Sequence, residues 1–138
     1  MAIEEAEKAI SANEVPVGAV VIKNGVVIGR GSNTREKDND ISGHAEINAL
    51  KEAAKNIGSW DLGGCDLYVT LEPCLMCAGA IKQSRIRKVV YGAKDAIEGA
   101  ESKYHAFSID NASTLIYFEE SAKECENLLF DFFKKKRK

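Results

Sequence analysis

Two short runs constrain this chain more than anything else in it: His44-Ala45-Glu46, and Pro73-Cys74-Leu75-Met76-Cys77. Cys74 and Cys77 stand three apart, so on a helix both sulfurs project from one face near its N-terminus. His44 opens an Ala- and Leu-rich run to Ile57, and Pro73 stands where a helix start tolerates its missing N–H. Helix starts carry unpaired N–H groups and the positive dipole end, both of which favour thiolate over thiol. A fold that brings these two starts together offers one ion a nitrogen and two sulfurs, from His44, Cys74 and Cys77. Three protein donors without a fourth describe a catalytic zinc site with one position open to water, because structural sites close with four. Zinc lowers the pKa of its water to roughly 7, but two thiolates soften the effect, so a proton carrier is needed. Glu46 lies within reach without being a ligand and takes that role.

A C-x-x-C by itself more often belongs to a structural zinc ribbon or a redox pair. A ribbon needs a second such pair, whereas Cys65 and Cys125 each stand alone, and a redox dithiol has no use for an upstream His-x-Glu. Cys65 follows Gly63-Gly64 at a strand entrance and Cys125 lies on an apolar helical stripe, so both read as small core residues. The chain has 138 residues, the size of one domain, taken as 1–138. With 19 basic against 21 acidic residues it has no chain-wide positive field to attract nucleic acid. Any such binding is local, and Lys134-Lys135-Lys136-Arg137-Lys138 is the one basic cluster that invites it through phosphates. Met1–Ile10 has no signal-peptide core, and no stretch approaches the roughly 18–20 apolar residues of a membrane span. A soluble, cytoplasmic protein without a membrane partner is expected.

Ile3, Ala6, Ala9 and Ile10 recur at helical spacing, predicting an amphipathic helix over the first dozen residues. Val15–Lys23 and Val26–Gly31 are β-branched runs around Asn24-Gly25, the pattern of a tight antiparallel hairpin. Polar Thr34–Ser42 reads as loop, and the run from Gly43 to Ile57 as a helix stopped by Gly58. A strand at Asp66–Leu71, a helix from about Cys74 to Gln83 and a strand at Val89–Gly92 follow. The pattern fades between Ala93 and Ser113; Thr114–Phe118 then predicts a last strand. Ser121–Lys136 predicts a last helix, with Cys125, Leu128, Leu129, Phe132 and Phe133 inward. Helices interleaved with strands predict an α/β fold of three layers, α/β/α, around a mixed five-stranded sheet: the hairpin is antiparallel and the later crossovers favour parallel pairs.

His-x-Glu followed by Pro-Cys-x-x-Cys resembles the signature of the cytidine deaminase superfamily, in which a flipped-out base meets zinc and a glutamate. Within it the chain resembles the bacterial tRNA-specific adenosine deaminase family. The likeness is carried by the Glu14-Val15-Pro16-Val17-Gly18-Ala19-Val20 run, by His44-Ala45-Glu46-Ile47, and by the tract from Leu67 through Thr70-Leu71-Glu72-Pro73-Cys74 to Ala80. It continues through Ser84-Arg85-Ile86 and Tyr91-Gly92-Ala93, covering about three quarters of the chain. The resemblance implies a cytidine-deaminase-like fold, one Zn²⁺ per chain, a homodimer, and conversion of the wobble adenosine of a tRNA anticodon to inosine. It also implies substrate contacts. Asn33 matches the asparagine that holds the nucleoside; Pro16-Val17 and Leu71 match residues lining the base pocket. The backbone N–H of Ala45 would meet a ring acceptor, and Asp95 matches an acidic residue near the nucleotide's backbone. The departures concentrate after Asp95. Where the family carries Gly-Ser-Leu and then Asn-His-Arg, this chain reads Glu101-Ser102-Lys103-Tyr104-His105-Ala106 and then Asn111-Ala112-Ser113.

Three functions follow from these readings. The first is a deaminase of adenosine in tRNA. The second is a deaminase of a free nucleobase or nucleoside (guanine, cytosine or adenosine), which the altered 98–113 segment favours. A non-catalytic zinc protein is the third, and the presence of Glu46, which only catalysis needs, argues against it.

Overall fold

The computed structural model describes residues 1–108 and 113–136. The hairpin forms where Asn24 and Gly25 stand: both adopt positive φ, 51° and 77°, the two-residue turn whose twist matches the strands it joins. It links β1 (Gly18–Lys23) to β2 (Val26–Ser32), antiparallel with Val20 opposite Arg30. On its other edge β1 pairs antiparallel with β3 (Asp66–Leu71), Val20 opposite Tyr68. β3 runs parallel to β4 (Lys88–Ala93), and β4 parallel to β5 (Thr114–Tyr117). The sheet order is β2-β1-β3-β4-β5, five strands of mixed direction as expected.

Helices cover both faces. On one lie α3 (Ala45–Ile57) and α4 (Leu75–Gln83), the latter crossing over between the parallel β3 and β4. On the other lie α1 (Ala2–Ser11) and α6 (Glu119–Lys136), which touch each other. Small residues set how closely α3 approaches. Ala45, Ala49 and Ala53 are fully buried, and a Cβ on Gly31 of β2 would overlap the carbonyl of Ala45 and the amide of Ala49. That close seating carries the first turn of α3 down onto the end of the sheet where α4 also begins. Between the sheet and these two helices the core is filled by Val21, Leu67, Val89, Leu50 and Ile81.

Several local expectations are corrected. β1 starts at Gly18 instead of Val15, because Pro16 has no N–H for a ladder and Val17 N–H donates to Val15 O in a tight turn. The expected loop 34–42 contains the short helix α2 (Arg35–Asp38), and the faded segment contains α5 (Ala100–Tyr104). Ile10 and Phe133 lie outside the buried stripes, 40% and 45% exposed. The buried face of α1 instead includes Glu5, which pairs with Lys8 and Arg30 at 2.9 and 3.7 Å. Cys65 and Cys125 are buried free thiols, as read from the sequence. Asn111, Ala112, Arg137 and Lys138 lie outside the described residues.

Candidate metal and catalytic site

His44 occupies the N-cap position of α3 with an extended backbone, φ −87° and ψ 150°. Such a residue ordinarily turns its side chain back onto the helix amides. His44 makes no capping bond, and its ring reaches across to α4 instead. Cys74 is the N-cap residue of α4, one position earlier than the expected helical placement, and Cys77 lies in the first turn. His44 Nδ1 stands 3.4 Å from Cys77 Sγ and 3.5 Å from Cys74 Sγ. All three donor atoms lie within 4.8 Å of one another, and no other group of three metal-ligating side chains is so disposed among the described residues. Tetrahedral zinc, with Zn–S near 2.3 Å and Zn–N near 2.0 Å, places its ligand atoms about 3.5 Å apart. The donor set and spacing therefore fit that ion.

The electrostatics match a site built around charge. Contact with the Cys77 sulfur and with His44 holds the Cys74 thiol down to about 4. Cys77 is pushed far upward by the same sulfur contact and by burial. Its bond to Cys74 holds the His44 imidazole above its ordinary value. Glu46, in the first turn of α3, is 4% exposed, and burial pushes its carboxyl up to about 7.

Above these groups lies a cleft of about 950 Å³. Val17, Asn33, Leu71 and Asp95, expected to contact substrate, all line it together with His44 and Glu46. Ala45 is engaged differently from the expectation. Its N–H donates to Asn33 Oδ1 at 2.9 Å, so in this structure it fixes the asparagine instead of standing free for a ring acceptor. With its carbonyl so held, Asn33 has its amide NH₂ left for a ligand in the cleft.

Arg35, Glu14 and Glu72 are among the cleft residues given no role from the sequence. Arg35 of α2 places Nη1 3.2 Å from His44 Nε2. Glu14, fully buried, accepts from the amides of Glu36 and Lys37 at 3.1 and 2.6 Å and so ties α2 to the segment between α1 and β1. Glu72, also buried, accepts from the segment that begins at Asp95. A glutamate inside an apolar run was the available signal for Glu72: such a carboxylate is buried only with donors around it.

Fold and site together define a deaminase scaffold with a donor cluster that could hold a metal, and comparison with known proteins agrees: the MafB19-like deaminase family model matches residues 1–137. The chain is 42% identical over 140 residues to the tRNA-specific adenosine deaminase of Bacillus subtilis (strain 168), covering 99% of this chain and 87% of that one, and belongs to the same family. It is similar in fold to a solved chain from work on A-to-I editing by tRNA:A34 deaminases at the wobble position of transfer RNA. There the TM-score is 0.87 and the identity 39%, over 93% of this chain and 95% of that one. The X-ray structure of guanine deaminase from Bacillus subtilis is also similar, with TM-score 0.64 and 39% identity over 67% of this chain and 60% of that one.

Proposed function

We propose that this chain hydrolyses the exocyclic amine of adenosine to give inosine in RNA, at the wobble position of a tRNA anticodon, with one Zn²⁺ held by His44, Cys74 and Cys77. The observation that carries the reading is the convergence of the His44 nitrogen and both sulfurs within 4.8 Å, beside buried Glu46, at the floor of a cleft. Its relatives' names supply the substrate: adenosine in tRNA for the Bacillus subtilis protein, the wobble position for the solved deaminase. When bound, zinc supplies Lewis-acid activation of a water nucleophile near neutral pH.

The chain's own residues do the rest. Glu46 accepts a proton at its carboxylate oxygen from the attacking water and delivers it to the ring nitrogen beside the attacked carbon; it then takes the proton of the new hydroxyl and hands it to the amine, which leaves as ammonia as the carbonyl forms. Asn33, held by Ala45 N–H, orients the nucleoside through its free amide NH₂. Val17 and Leu71 offer apolar contact to the base, and Asp95 stands at the cleft wall beside its backbone. At the mouth, Ile41 and Leu75 are 79% and 48% exposed, apolar surface for the faces of neighbouring unstacked bases. No described helix is long and apolar enough to cross a membrane. The family resemblance adds a homodimer, which light scattering on the purified protein checks.

One assay tests the reading: inosine and ammonia released from an anticodon stem-loop bearing adenosine at the wobble position, against a panel of free bases and nucleosides. Turnover of the stem-loop alone is the expected result. Turnover of guanine with none of the RNA would favour the second reading, which the likeness to guanine deaminase supports.

A further inference from the structure

Glu72 directly precedes Pro73-Cys74, yet its side chain turns away from the donor cluster. It is 2% exposed and its two oxygens take four hydrogen bonds. Oε1 accepts from Asp95 N at 3.1 Å and from the Ser102 hydroxyl at 2.5 Å; Oε2 accepts from Glu101 N at 3.0 Å and Ser102 N at 2.7 Å. The helix start it satisfies has no cap of its own, because the N-cap position of α5 is Gly99. Around this carboxylate the backbone is tied again. Ala100 N donates to Pro73 O at 2.8 Å, and Gly99 forms an antiparallel bridge with Cys74. A Cβ on Gly99 would collide with the Glu72 carboxylate and the Asp95 carbonyl, so only glycine lets the segment lie this close. Asp95 and Glu98, on the segment so tied, line the cleft opposite the donor cluster's helix starts.

We infer that Glu72 is a positioning residue: it sets the 95–102 wall of the cleft against the Cys74 run and thereby governs how substrate binds, without touching the reacting atoms. The inference rests on the deamination reading only for the choice of assay. In Glu72→Gln the amide presents one oxygen to the Glu101 and Ser102 amides, and its NH₂ meets the Asp95 N–H donor to donor. The wall is released at Asp95 while the donor cluster stays intact.

The test is steady-state kinetics of Glu72→Gln and the milder Ser102→Ala, in the zinc-loaded full chain, with metal content and amide hydrogen exchange alongside. KM for the anticodon stem-loop should rise roughly tenfold in Glu72→Gln, with kcat within about threefold, the split expected when binding geometry is lost and chemistry is kept. Zinc content should equal that of the unaltered protein, and the amides of Asp95, Glu101 and Ser102 should exchange faster. A smaller change of the same kind is expected in Ser102→Ala, which keeps the test open if Glu72→Gln fails to fold. Unchanged KM and exchange in both variants would overturn the inference, as would lost zinc or a fall in kcat at constant KM. If the unaltered protein turns over a free base and no RNA, the deamination reading of RNA fails by itself; the same KM ratio, measured on that base, still decides the role of Glu72.

Discussion

A histidine at a helix N-cap that declines to cap its own helix leaves that work to another residue: Asn33 accepts from the Ala45 N–H, and the His44 ring serves the sulfurs of α4. His44→Ala and Cys77→Ser are therefore expected to empty the site, whereas Cys65→Ser and Cys125→Ser, at buried positions remote from the cluster, should keep about one zinc per chain. Metal analysis of the purified variants checks this, and the opposite pattern would refute the ligand assignment. Glu46 is the residue to which the proposed function assigns the proton transfers. Glu46→Ala should keep zinc and fold but lose at least ~10²-fold in turnover, the usual scale of a positioned acid/base. A variant working at near the original rate would remove its proton-carrying role.

Elements place these residues, and α3 does so through the glycines it packs against. Gly31→Ala would push a methyl into the backbone of Ala45 and Ala49, atoms that cannot swing aside. A loss of ~1–3 kcal/mol is expected from such overpacking, read by urea unfolding of the zinc-loaded protein. Because His44 and Glu46 ride on the same helix start, zinc affinity should weaken with it. Farther out, Glu101 closes the turn after α5 by accepting from the amides of Phe107 and Ser108 at 2.9 and 3.0 Å. The Ser108 hydroxyl, first among its partners, holds the Glu101 carboxyl below its ordinary 4.5. Its stabilisation is therefore complete above about pH 4.5 and lost as pH falls through the lower folded value. Glu101→Gln should destabilise by on the order of 1 kcal/mol at pH 7, and the gap to the unaltered protein should close in acid, as thermal melts at pH 7 and pH 3 would show. A gap independent of pH would mean the charge is immaterial.

At the scale of the whole molecule the acidic and basic residues nearly cancel, so affinity for a polyanion has to come from local clusters. On α6, Lys134 and Lys135 are exposed beyond the apolar stripe of Cys125 and Phe132. Deleting 134–138 is expected to weaken binding to any anticodon stem-loop alike and to flatten the slope of log affinity against log salt, since fewer counterions are released. Turnover of a free nucleoside should not change. Undiminished affinity with an unchanged slope would show that the tail is only a solvated end.

Much of this protein was legible in its residues. Chemistry at fixed short spacing, His-x-Glu and Pro-Cys-x-x-Cys, named the donors, and the Asn24-Gly25 turn named the hairpin, because both depend on neighbours along the chain. The mixed five-stranded sheet followed from alternation and crossover rules, and its order agrees with them. What the chain pattern could not show were α2 and α5, four and five residues long, because helices so short have too few turns to display a period. They exist because buried Glu14 and Glu72, more than 20 residues away in sequence, accept their first amides. Nor could it show that Ala45 N–H would be taken by Asn33. Which side chains could meet as metal donors was readable along the chain; where the walls around them stand was set in three dimensions, because carboxylates and glycines from distant segments build those walls through contacts that no local pattern encodes.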